Sequence, residues 1–404
     1  MGIRKRGSRW LVTVECGLGT DGIRRRRCVT CATEDDAKRT LAKLSNDVYS
    51  GAYVDVSDMR VAAFLERWLE YVESRVVPAT HRRYKGMVAT HITPKIGGVV
   101  LAKLSPLHVT RLEAEQLDSG LSSTTVRKHH WLLKAALDQA VAWRLIAVNP
   151  MTGITAVAER RPEIRTLDAT GQARLLDTAA GSRMHAPIAL ALGTGLRRGE
   201  LLALRWSDVD LAAGRLAVRR AMRFAADRSC EFGPCKTERS RRVVSLPPSL
   251  SGLLVSHHTE QASKRALAGA GWTDGDLVFC GAQGAPWLID SFATAWKRLR
   301  AKAAAAAGAQ ASKEALELHA TEEQATQAAK AAAAPLLACR FHDLRHTHAT
   351  ELMRAGIHAK VVSERLGHSS VRVTLDRYSH VTVDMQDTAA EATDALLAPL
   401  LRLA

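Results

Sequence analysis

The first 55 residues alternate hydrophobic and polar positions in short runs, a pattern typical of strands with one buried face. The glycine-rich stretch Gly17–Gly22 separates the second run from the third and predicts a turn. Thr33 and Asp36 have the spacing of a capping box, which predicts a helix that ends near Val48. We therefore expect a small sheet followed by one helix. The predicted strands are Ile3–Arg6, Arg9–Cys16 and Ile23–Cys31.

Residues 57–155 carry apolar positions at helical spacing and predict an all-α domain. Thr80 is a candidate N-cap for its second helix, and Ser122 and Ser123 precede its fourth. Asn149-Pro150 ends the block, and Glu159–Arg165 is the predicted interdomain linker. The four predicted helices are Val61–Val76, one from Thr80 through Tyr84 to Thr90, one opened by Ser105-Pro106, and one with the apolar stripe Val126, His130, Leu133, Leu137 and Val141.

From residue 166 onward the hydrophobic pattern mixes helical and strand periods. Arg215–Phe224 and Arg239–Leu246 predict the two strands of one antiparallel hairpin, with Lys236 near its tip. Residues 309–334 are rich in Ala, Glu, Gln and Lys, a composition that favours helix but offers few large apolar side chains. We expect this insertion to be an exposed helix or a mobile segment that adds little to the core. Helices are predicted at Ala186–Leu192, Arg198–Leu204 and Ser291–Ala307.

Composition adds a strong positive charge to this picture. The 404 residues carry a formal net charge of +16, and the pI is near 9.9. The surplus of Lys and Arg is spread along the chain, which predicts a polyanionic partner that several domains touch. No apolar run is long enough for a transmembrane helix, and no apolar segment follows the basic N-terminus. We therefore expect neither a membrane span nor a signal peptide.

The seven cysteines are scattered, as in a protein of a reducing cytoplasm. Cys28 and Cys31 have the CxxC spacing of a zinc site, but two more ligands would be needed and Cys16 is the only other cysteine nearby. Buried strand cysteines are the simpler expectation, with structural zinc as the alternative.

Two basic clusters are candidates for DNA contact. Strands that carry arginine on one face can lie in a DNA groove, whereas the alternative for the N-terminal cluster is a solubilising arm. Hydroxyls and cations at the start of the fourth predicted helix are well placed for phosphates, whereas the alternative there is a solvated first turn. The candidates are Arg4, Lys5, Arg6, Arg24, Arg25, Arg26, Arg27, Thr124, Thr125, Arg127 and Lys128, with His129 beside the last group.

Residues that suit attack on a DNA phosphodiester follow in the second half. Such attack requires a nucleophile, cations around the non-bridging oxygens and a proton for the leaving 5′ oxygen. Arg197 and Arg345 can each donate paired N–H bonds to a phosphate, and His342 shares a helix face with Arg345 at a spacing of three. Tyr378 is the candidate nucleophile. Because a phenol has a pKa of about 10, it needs nearby cations or a proton acceptor such as His342.

A metal site built from His342, His346 and His348 is the alternative for this region. The first two histidines have zincin spacing, but Asp343 stands where that motif has glutamate. We therefore predict no metal and no cofactor, and we expect His346 and His348 to pack and form hydrogen bonds.

Three stretches, Thr194–Asp208, Phe341–Thr347 and Arg365–His380, resemble the sequence boxes of the tyrosine recombinase (phage integrase) family. The resemblance covers nearly the whole chain and is strongest over residues 166–385. It implies that Glu200 supports a catalytic arginine. The sequence departs from the family pattern at two positions: Cys235 directly precedes Lys236, and Val373 replaces a common threonine. Neither departure removes a catalytic residue. The implied catalytic residues are Arg197, Lys236, His342, Arg345, His368 and Tyr378.

This resemblance implies an α+β multidomain fold and a site-specific DNA recombinase of a phage or other mobile element. Such an enzyme cuts and rejoins DNA through a 3′-phosphotyrosyl intermediate, without ATP or metal. It acts as a homotetramer on double-stranded core and arm-type sites. Its expected location is the cytoplasm of a bacterial host, at the nucleoid. A directionality factor or host DNA-bending protein would be a further partner. The alternatives are a DNA-binding regulator with vestigial chemistry and a type IB-like topoisomerase. The implied domains are an arm-type DNA-binding domain at 1–55, a helical SAM-like core-binding domain at 57–155, a mainly helical catalytic domain at 166–385, and a tail at 386–404 that can pack on a neighbouring protomer.

Overall fold

A computed structural model gives the fold of two compact units, Met1–Pro162 and Glu163–Ala404. Helices dominate, and the described residues also form small antiparallel sheets, which confirms the predicted α+β class. Within the described part of the chain, every helix is too short or too polar to cross a lipid bilayer. The described residues are 1–18, 24–49, 58–159, 165–225, 229–235, 240–378, 393–395 and 397.

The first unit begins with the predicted sheet and helix. These elements are β1 (Gly2–Arg6), β2 (Arg9–Leu18), β3 (Arg24–Cys31) and α1 (Glu34–Tyr49). Strand β2 pairs antiparallel with both β1 and β3, and its fully buried Val12 and Val14 pack with Ala37 of α1. Helix α1 begins where expected, because the Thr33 hydroxyl accepts a hydrogen bond from the Asp36 N–H at 3.2 Å. Residues 19–22 of the predicted turn and Ile23 of the third predicted strand lie outside the described residues, and Gly17 and Leu18 end β2.

The helices that follow cover the predicted four, with two corrections. They are α2 (Val61–Glu73), α3 (Pro78–Met87), α4 (Thr93–Ile96), α5 (Pro106–Asp118) and α6 (Ser123–Ala142). Thr80 is not an N-cap: α3 begins at Pro78, with Val77 as its N-cap. Proline is favoured at the first helical position because the N–H there has no partner within the helix, so its absence costs nothing. The second predicted helix also runs further than expected, through a π-turn at Val88–Ile92.

Helix α6 confirms the predicted apolar stripe. Ser122 caps it by accepting a hydrogen bond from the Thr125 N–H, and Leu133 and Leu137 are buried in the helical core. His130, the polar member of the stripe, is buried as well, because its Nδ1 lies 2.6 Å from the Glu113 carboxylate.

In the second unit, the predicted hairpin is built from two separate sheets. The strands are β4 (Val209–Asp210), β5 (Arg215–Val218), β6 (Arg220–Phe224), β7 (Cys230–Pro234) and β8 (Arg242–Ser245). The outer strands β5 and β8 do pair, but the single long hairpin is wrong, because β6 pairs with β7 in a two-stranded sheet between them. Arg220 at the start of β6 donates to the Ala203 carbonyl at 2.8 Å, which anchors this strand. Lys236 lies outside the described residues.

Helices surround these strands and form the larger hydrophobic core, in which Ile188, Leu190 and Leu344 are fully buried. They include α7 (Ala169–Ala179), α8 (His185–Thr194), α9 (Arg198–Leu202), α10 (Pro248–Ala268), α11 (Ile289–Glu317), α12 (Glu322–Ala338), α13 (Asp343–Arg354), α14 (Ala359–Leu366) and α15 (Val371–Tyr378). Helix α8 continues to Thr194, two residues beyond the predicted end at Leu192, and Gly195 caps it. The tail predicted at 386–404 falls outside the described residues apart from 393–395 and 397, and so do residues 160–164 of the linker.

The Ala-rich insertion is better packed than expected. Helix α11 continues into it, and α12 returns alongside. A Cβ atom at Gly308 would lie 3.1 Å from the Ala329 carbonyl oxygen, so the two helices approach closely. Ala325 is only 2% exposed. The segment is helical and most of its residues are exposed, as expected, but its small side chains also bury surface by close helix contact.

Candidate active site

Arg197 stands at the junction between α8 and α9. Gly195 ends α8 with φ 66°, and a Cβ there would lie 2.5 Å from Leu366, so both the backbone and the packing require glycine. The Arg197 N–H donates to the Glu200 carboxylate at 3.0 Å, and its Nη1 donates to the same carboxylate at 2.7 Å. These bonds fix the arginine at the start of α9 and leave its side chain 37% exposed.

Arg345 lies in the first turn of α13 and is only 2% exposed. Its Nη1 donates to the Gly195 carbonyl at 2.8 Å, and its Nη2 donates to the Leu366 carbonyl at 2.6 Å. Both carbonyls are at helix C-terminal ends, where unpaired backbone oxygens attract a cation. Burial and the nearby charge of Arg197 lower the pKa of Arg345 to about 9, which leaves the guanidinium charged at neutral pH.

Glu200 joins this pair of arginines to a third one. Arg242 of β8 donates from Nη2 to the Glu200 carboxylate at 2.9 Å and from Nε to the Arg365 carbonyl at 2.6 Å. Burial opposes ionisation of Glu200, but Arg242 and Arg197 outweigh it and hold the pKa of the carboxyl below its ordinary value. The carboxylate therefore stays charged and ties β8 to the start of α9.

Tyr378, the last residue of α15, is 1% exposed. Its hydroxyl oxygen lies 2.7 Å from Nδ1 of His346 on α13. Burial raises the pKa of Tyr378, and the charges of Arg345, Arg377 and Arg197 oppose that effect without cancelling it. The phenol is therefore protonated at neutral pH and is held inside the protein.

Two further histidines complete the site. Nδ1 of His368 lies 2.8 Å from the Thr374 hydroxyl, and burial together with the charges of Arg345 and Arg197 lowers the pKa of this histidine to about 3. His342 occupies the N-cap position of α13. Loss of water around its ring, then the neighbouring positive charges, lowers the pKa of His342 to about 4, although the residue keeps an exposed edge. Both imidazoles are therefore neutral hydrogen-bonding groups.

These residues form two faces. The open face keeps solvent-accessible side chains, and the buried face is enclosed by the fold. The tyrosine hydroxyl contacts His346, and the charges of Arg345, Arg377 and Arg197 act on it, an arrangement suited to transferring a phosphoryl group to oxygen. The open face consists of Arg197, His342 and His368, and the buried face of Glu200, Arg242, Arg345, His346 and Tyr378.

The family model described as "Phage integrase family" matches residues 165–385, more than half of the chain. The chain belongs to the phage integrase family. A second model, "Phage integrase, N-terminal SAM-like domain", matches residues 61–113. The chain is 27% identical to "Tyrosine recombinase XerC-like" of Caldanaerobacter subterraneus, over 95% of each protein, and 24% identical to "Integrase" of Saccharopolyspora erythraea, over 95% of this chain and 93% of that one.

Solved structures share this integrase fold. The Tn1549 transposon integrase in complex with a circular intermediate DNA is 19% identical, with a TM-score of 0.64 over 83% of this chain and 99% of that one. A lambda integrase dimer bound to a COC′ core site is 15% identical, with a TM-score of 0.52 over 93% and 94% of the two chains. This chain is therefore a tyrosine recombinase, an enzyme that cleaves and rejoins DNA at specific sites.

Of the six catalytic residues implied by the sequence, the structure brings five together in this integrase. The sixth, Lys236, lies outside the described residues. His348, expected to form hydrogen bonds, accepts one from Arg365 at 3.1 Å. Among the described residues, no three potential metal ligands cluster. Cys31 is buried as expected, but its CxxC partner Cys28 is exposed, which corrects the expectation that both are buried.

Sequence reasoning missed the roles of two residues. Arg242 was placed in the hairpin strand, but its bond to Glu200 joins positions 42 residues apart. His346 is expected to pack and to form hydrogen bonds, and it does so, but its partner, the Tyr378 hydroxyl 32 residues away, is not predicted. The sequence feature that could have indicated His346 is its position directly after Arg345 in the box Phe341–Thr347. For Arg242 it is the position of an arginine in a predicted strand close to Lys236.

The predicted DNA-contact residues divide into exposed and engaged side chains. The side chains of Arg24 and Arg25 are not described. Thr125 bonds the Ser122 hydroxyl at 2.9 Å, and Arg127 donates to the Val157 carbonyl at 3.1 Å. His129 is buried against Gln116, so its expected place beside phosphates is wrong. Thr124 and Arg27 are partly buried, and the exposed members are Arg4, Lys5, Arg6, Arg26 and Lys128.

Proposed function

We propose that this recombinase cleaves one DNA strand with Tyr378 as the nucleophile and holds the cut end as a 3′-phosphotyrosyl bond. The observation that carries this proposal is the position of the Tyr378 hydroxyl beside a protein-built set of cations and neutral imidazoles. Arg197 and Arg345 stabilise the charge that grows on the non-bridging phosphate oxygens. The covalent bond conserves the phosphodiester energy, so the reaction requires neither ATP nor a metal ion.

The other residues take supporting roles. His342 and His368, neutral at physiological pH, donate hydrogen bonds to the phosphate. Glu200 positions Arg197, and Lys236 protonates the leaving 5′ oxygen.

Domain roles follow from charge and family. Residues 1–55 bind arm-type sites, residues 57–155 bind the core site, residues 166–385 carry out the chemistry, and residues 386–404 pack on a neighbouring protomer. A lambda integrase tetramer has been solved on a Holliday junction, with a TM-score of 0.50. For this chain we propose four protomers on two DNA sites at the nucleoid of a bacterial host, together with a directionality factor or host DNA-bending protein.

Covalent capture of a nicked suicide duplex that carries the core site tests this proposal. Wild type should form a protein–DNA adduct that EDTA does not suppress. Tyr378→Phe removes one hydroxyl and keeps the charge and the packing, so it should bind the duplex but form no adduct. An adduct with this variant, or loss of the wild-type adduct on chelation, would overturn the assignment.

Strand exchange between two duplexes separates the recombinase from a topoisomerase-like enzyme. A recombinase joins strands from different duplexes, whereas an enzyme that only relaxes supercoils rejoins the same strand. A regulator with vestigial chemistry would give neither product.

A further inference from the structure

The attack of Tyr378 on a phosphate requires an acceptor for the phenol proton. The hydroxyl already has a partner, since His346 Nδ1 lies 2.7 Å from the Tyr378 oxygen. His346 is 7% exposed and Tyr378 is 1% exposed, so water does not compete strongly for either group. A neutral imidazole offers one nitrogen lone pair, and a phenol has one proton to donate. The two side chains therefore have the geometry of a general base and its nucleophile.

We propose that His346 is the proton acceptor for Tyr378 during strand cleavage. This inference rests on the proposed function, which makes Tyr378 the nucleophile. As the tyrosine oxygen bonds to phosphorus, its proton passes to Nδ1 of His346. The bond from phosphorus to the 5′ oxygen breaks, and that oxygen keeps the electron pair and takes a proton from Lys236. Rejoining reverses each transfer: the incoming 5′-hydroxyl gives its proton to Lys236, and His346 returns its proton to the phenolate.

The fold fixes His346 for this role. It follows Arg345 in the first turn of α13, and the two bonds of Arg345 to the Gly195 and Leu366 carbonyls hold that turn in place. His342 and His346 are one helical turn apart, with ring centroids at 5.1 Å. His346 therefore stands between the exposed His342 and the buried tyrosine.

The other imidazoles suit this role less well. His342 reaches the open face, and its ring packs against His346 rather than against the tyrosine. Nδ1 of His368 is engaged by the Thr374 hydroxyl. The sequence alone favoured His342 as acceptor, and the structure shifts that role by one helical turn.

Charges around His346 connect proton transfer to DNA binding. Burial lowers the pKa of His346 to about 4; Asp343 opposes this effect, and Arg377, Arg345 and Arg340 add to it. A proton on this ring is therefore disfavoured in the free protein. A bound phosphate places negative charge against Arg345 and offsets part of that repulsion. The pair thus transfers its proton only when substrate is present.

The test is single-turnover capture of the nicked core duplex by the full-length protein. His346→Asn keeps a hydrogen-bond acceptor near the position of Nδ1 but removes the base, and His346→Ala removes both. Each variant should bind the duplex like wild type and slow capture by about two to four orders of magnitude. Trifluorotyrosine at position 378 is a more acidic phenol and depends less on a base. It should therefore raise the capture rate of both His346 variants at least about ten-fold over the same variants with tyrosine.

Controls separate this inference from the proposed function. Lys236→Ala should be rescued by a duplex with sulfur at the 5′ leaving position and should gain nothing from trifluorotyrosine. Capture by His346→Asn at the wild-type rate would refute the inference and leave Tyr378 as nucleophile. A slow variant that trifluorotyrosine does not rescue would show that His346 only positions the tyrosine. Absence of any adduct from wild type would refute the proposed function itself.

Discussion

The open and the buried face of the active site are held in place by different means. On the buried face, Arg345 bonds the carbonyls that end α8 and α14, and Glu200 is paired with Arg242 behind it. On the open face, Arg197 donates to the Glu200 carboxylate and, at 3.3 Å, to the Gly367 carbonyl, and it keeps 37% of its side chain in solvent. The buried face is thus assembled when the unit folds, whereas the phosphate completes the open face.

This difference separates stability from chemistry. A charge enclosed by protein must keep its partners, because the group left behind cannot regain water. A charge at the surface loses little when its neighbour is removed. Substitutions on the buried face should therefore lower both stability and rate, and those on the open face should lower mainly the rate.

The largest expected effect comes from the two arginines that we propose as catalytic. Arg197→Ala and Arg345→Ala should each slow covalent capture by about two to three orders of magnitude, because each removes a preorganised donor to the phosphate. Arg345→Ala should also lower the free energy of unfolding, by about 1.5–3 kcal/mol for each charged hydrogen bond that it removes. Arg197→Ala should lower it less, because Arg242 still pairs with the buried Glu200 carboxylate. Capture kinetics and thermal melting measure the two effects. Equal losses of stability in both variants would contradict the distinction between the faces.

A stability effect of about 3 kcal/mol is expected for Arg242→Ala, at the lower end of the range for a broken buried pair because Arg197 still faces Glu200. Arg223→Ala is the matched control on the neighbouring sheet. Arg223 pairs with Glu231 at 2.9 Å, but both side chains are about half exposed, so its loss should cost about 0–1 kcal/mol. Denaturant unfolding of both variants checks this contrast, and similar midpoints would contradict it.

The sequence predicted the local arrangement within each box, because the residues of one box are neighbours in the chain. His342 and Arg345 share one turn, and Gly195 is required where α8 stops before Arg197. It missed the Arg242 and His346 contacts, because these depend on which distant elements meet. The hydrophobic pattern also predicted one strand where the structure has β5 and β6. The contact of Arg220 with the Ala203 carbonyl, which anchors β6, is tertiary and leaves no signal in the local pattern.

A smaller stability effect tests the Ala-rich helix pair. Large side chains are scarce there, so sequence patterning underestimated its burial. Ala325→Asp places a carboxylate at a position that is 2% exposed, whereas Ala331→Asp makes the same change at an exposed position of the same helix. The first should cost more than about 2 kcal/mol, which is about 4–8 °C in Tm for a unit of this size. The second should change Tm little. Equal shifts would restore the expectation of an unpacked insertion.

The smallest effect on chemistry is expected from strand β1. Arg4, Lys5 and Arg6 are exposed, and their combined replacement by alanine should leave capture on the core site near the wild-type rate. Binding to arm-type DNA should weaken, and its salt dependence should fall by about 0.9 in log–log slope for each phosphate that the variant no longer neutralises. Titrations at several salt concentrations measure this slope. An unchanged slope would remove β1 from the DNA interface.

The central claim is that the Tyr378 oxygen carries the cut DNA end. The most direct measurement is to capture wild type on the nicked duplex, digest protein and DNA, and identify by mass spectrometry the residue that bears the 3′-nucleotide. The account predicts a single modified peptide with the nucleotide on Tyr378 and no adduct from Tyr378→Phe. A nucleotide attached to any other residue would contradict it.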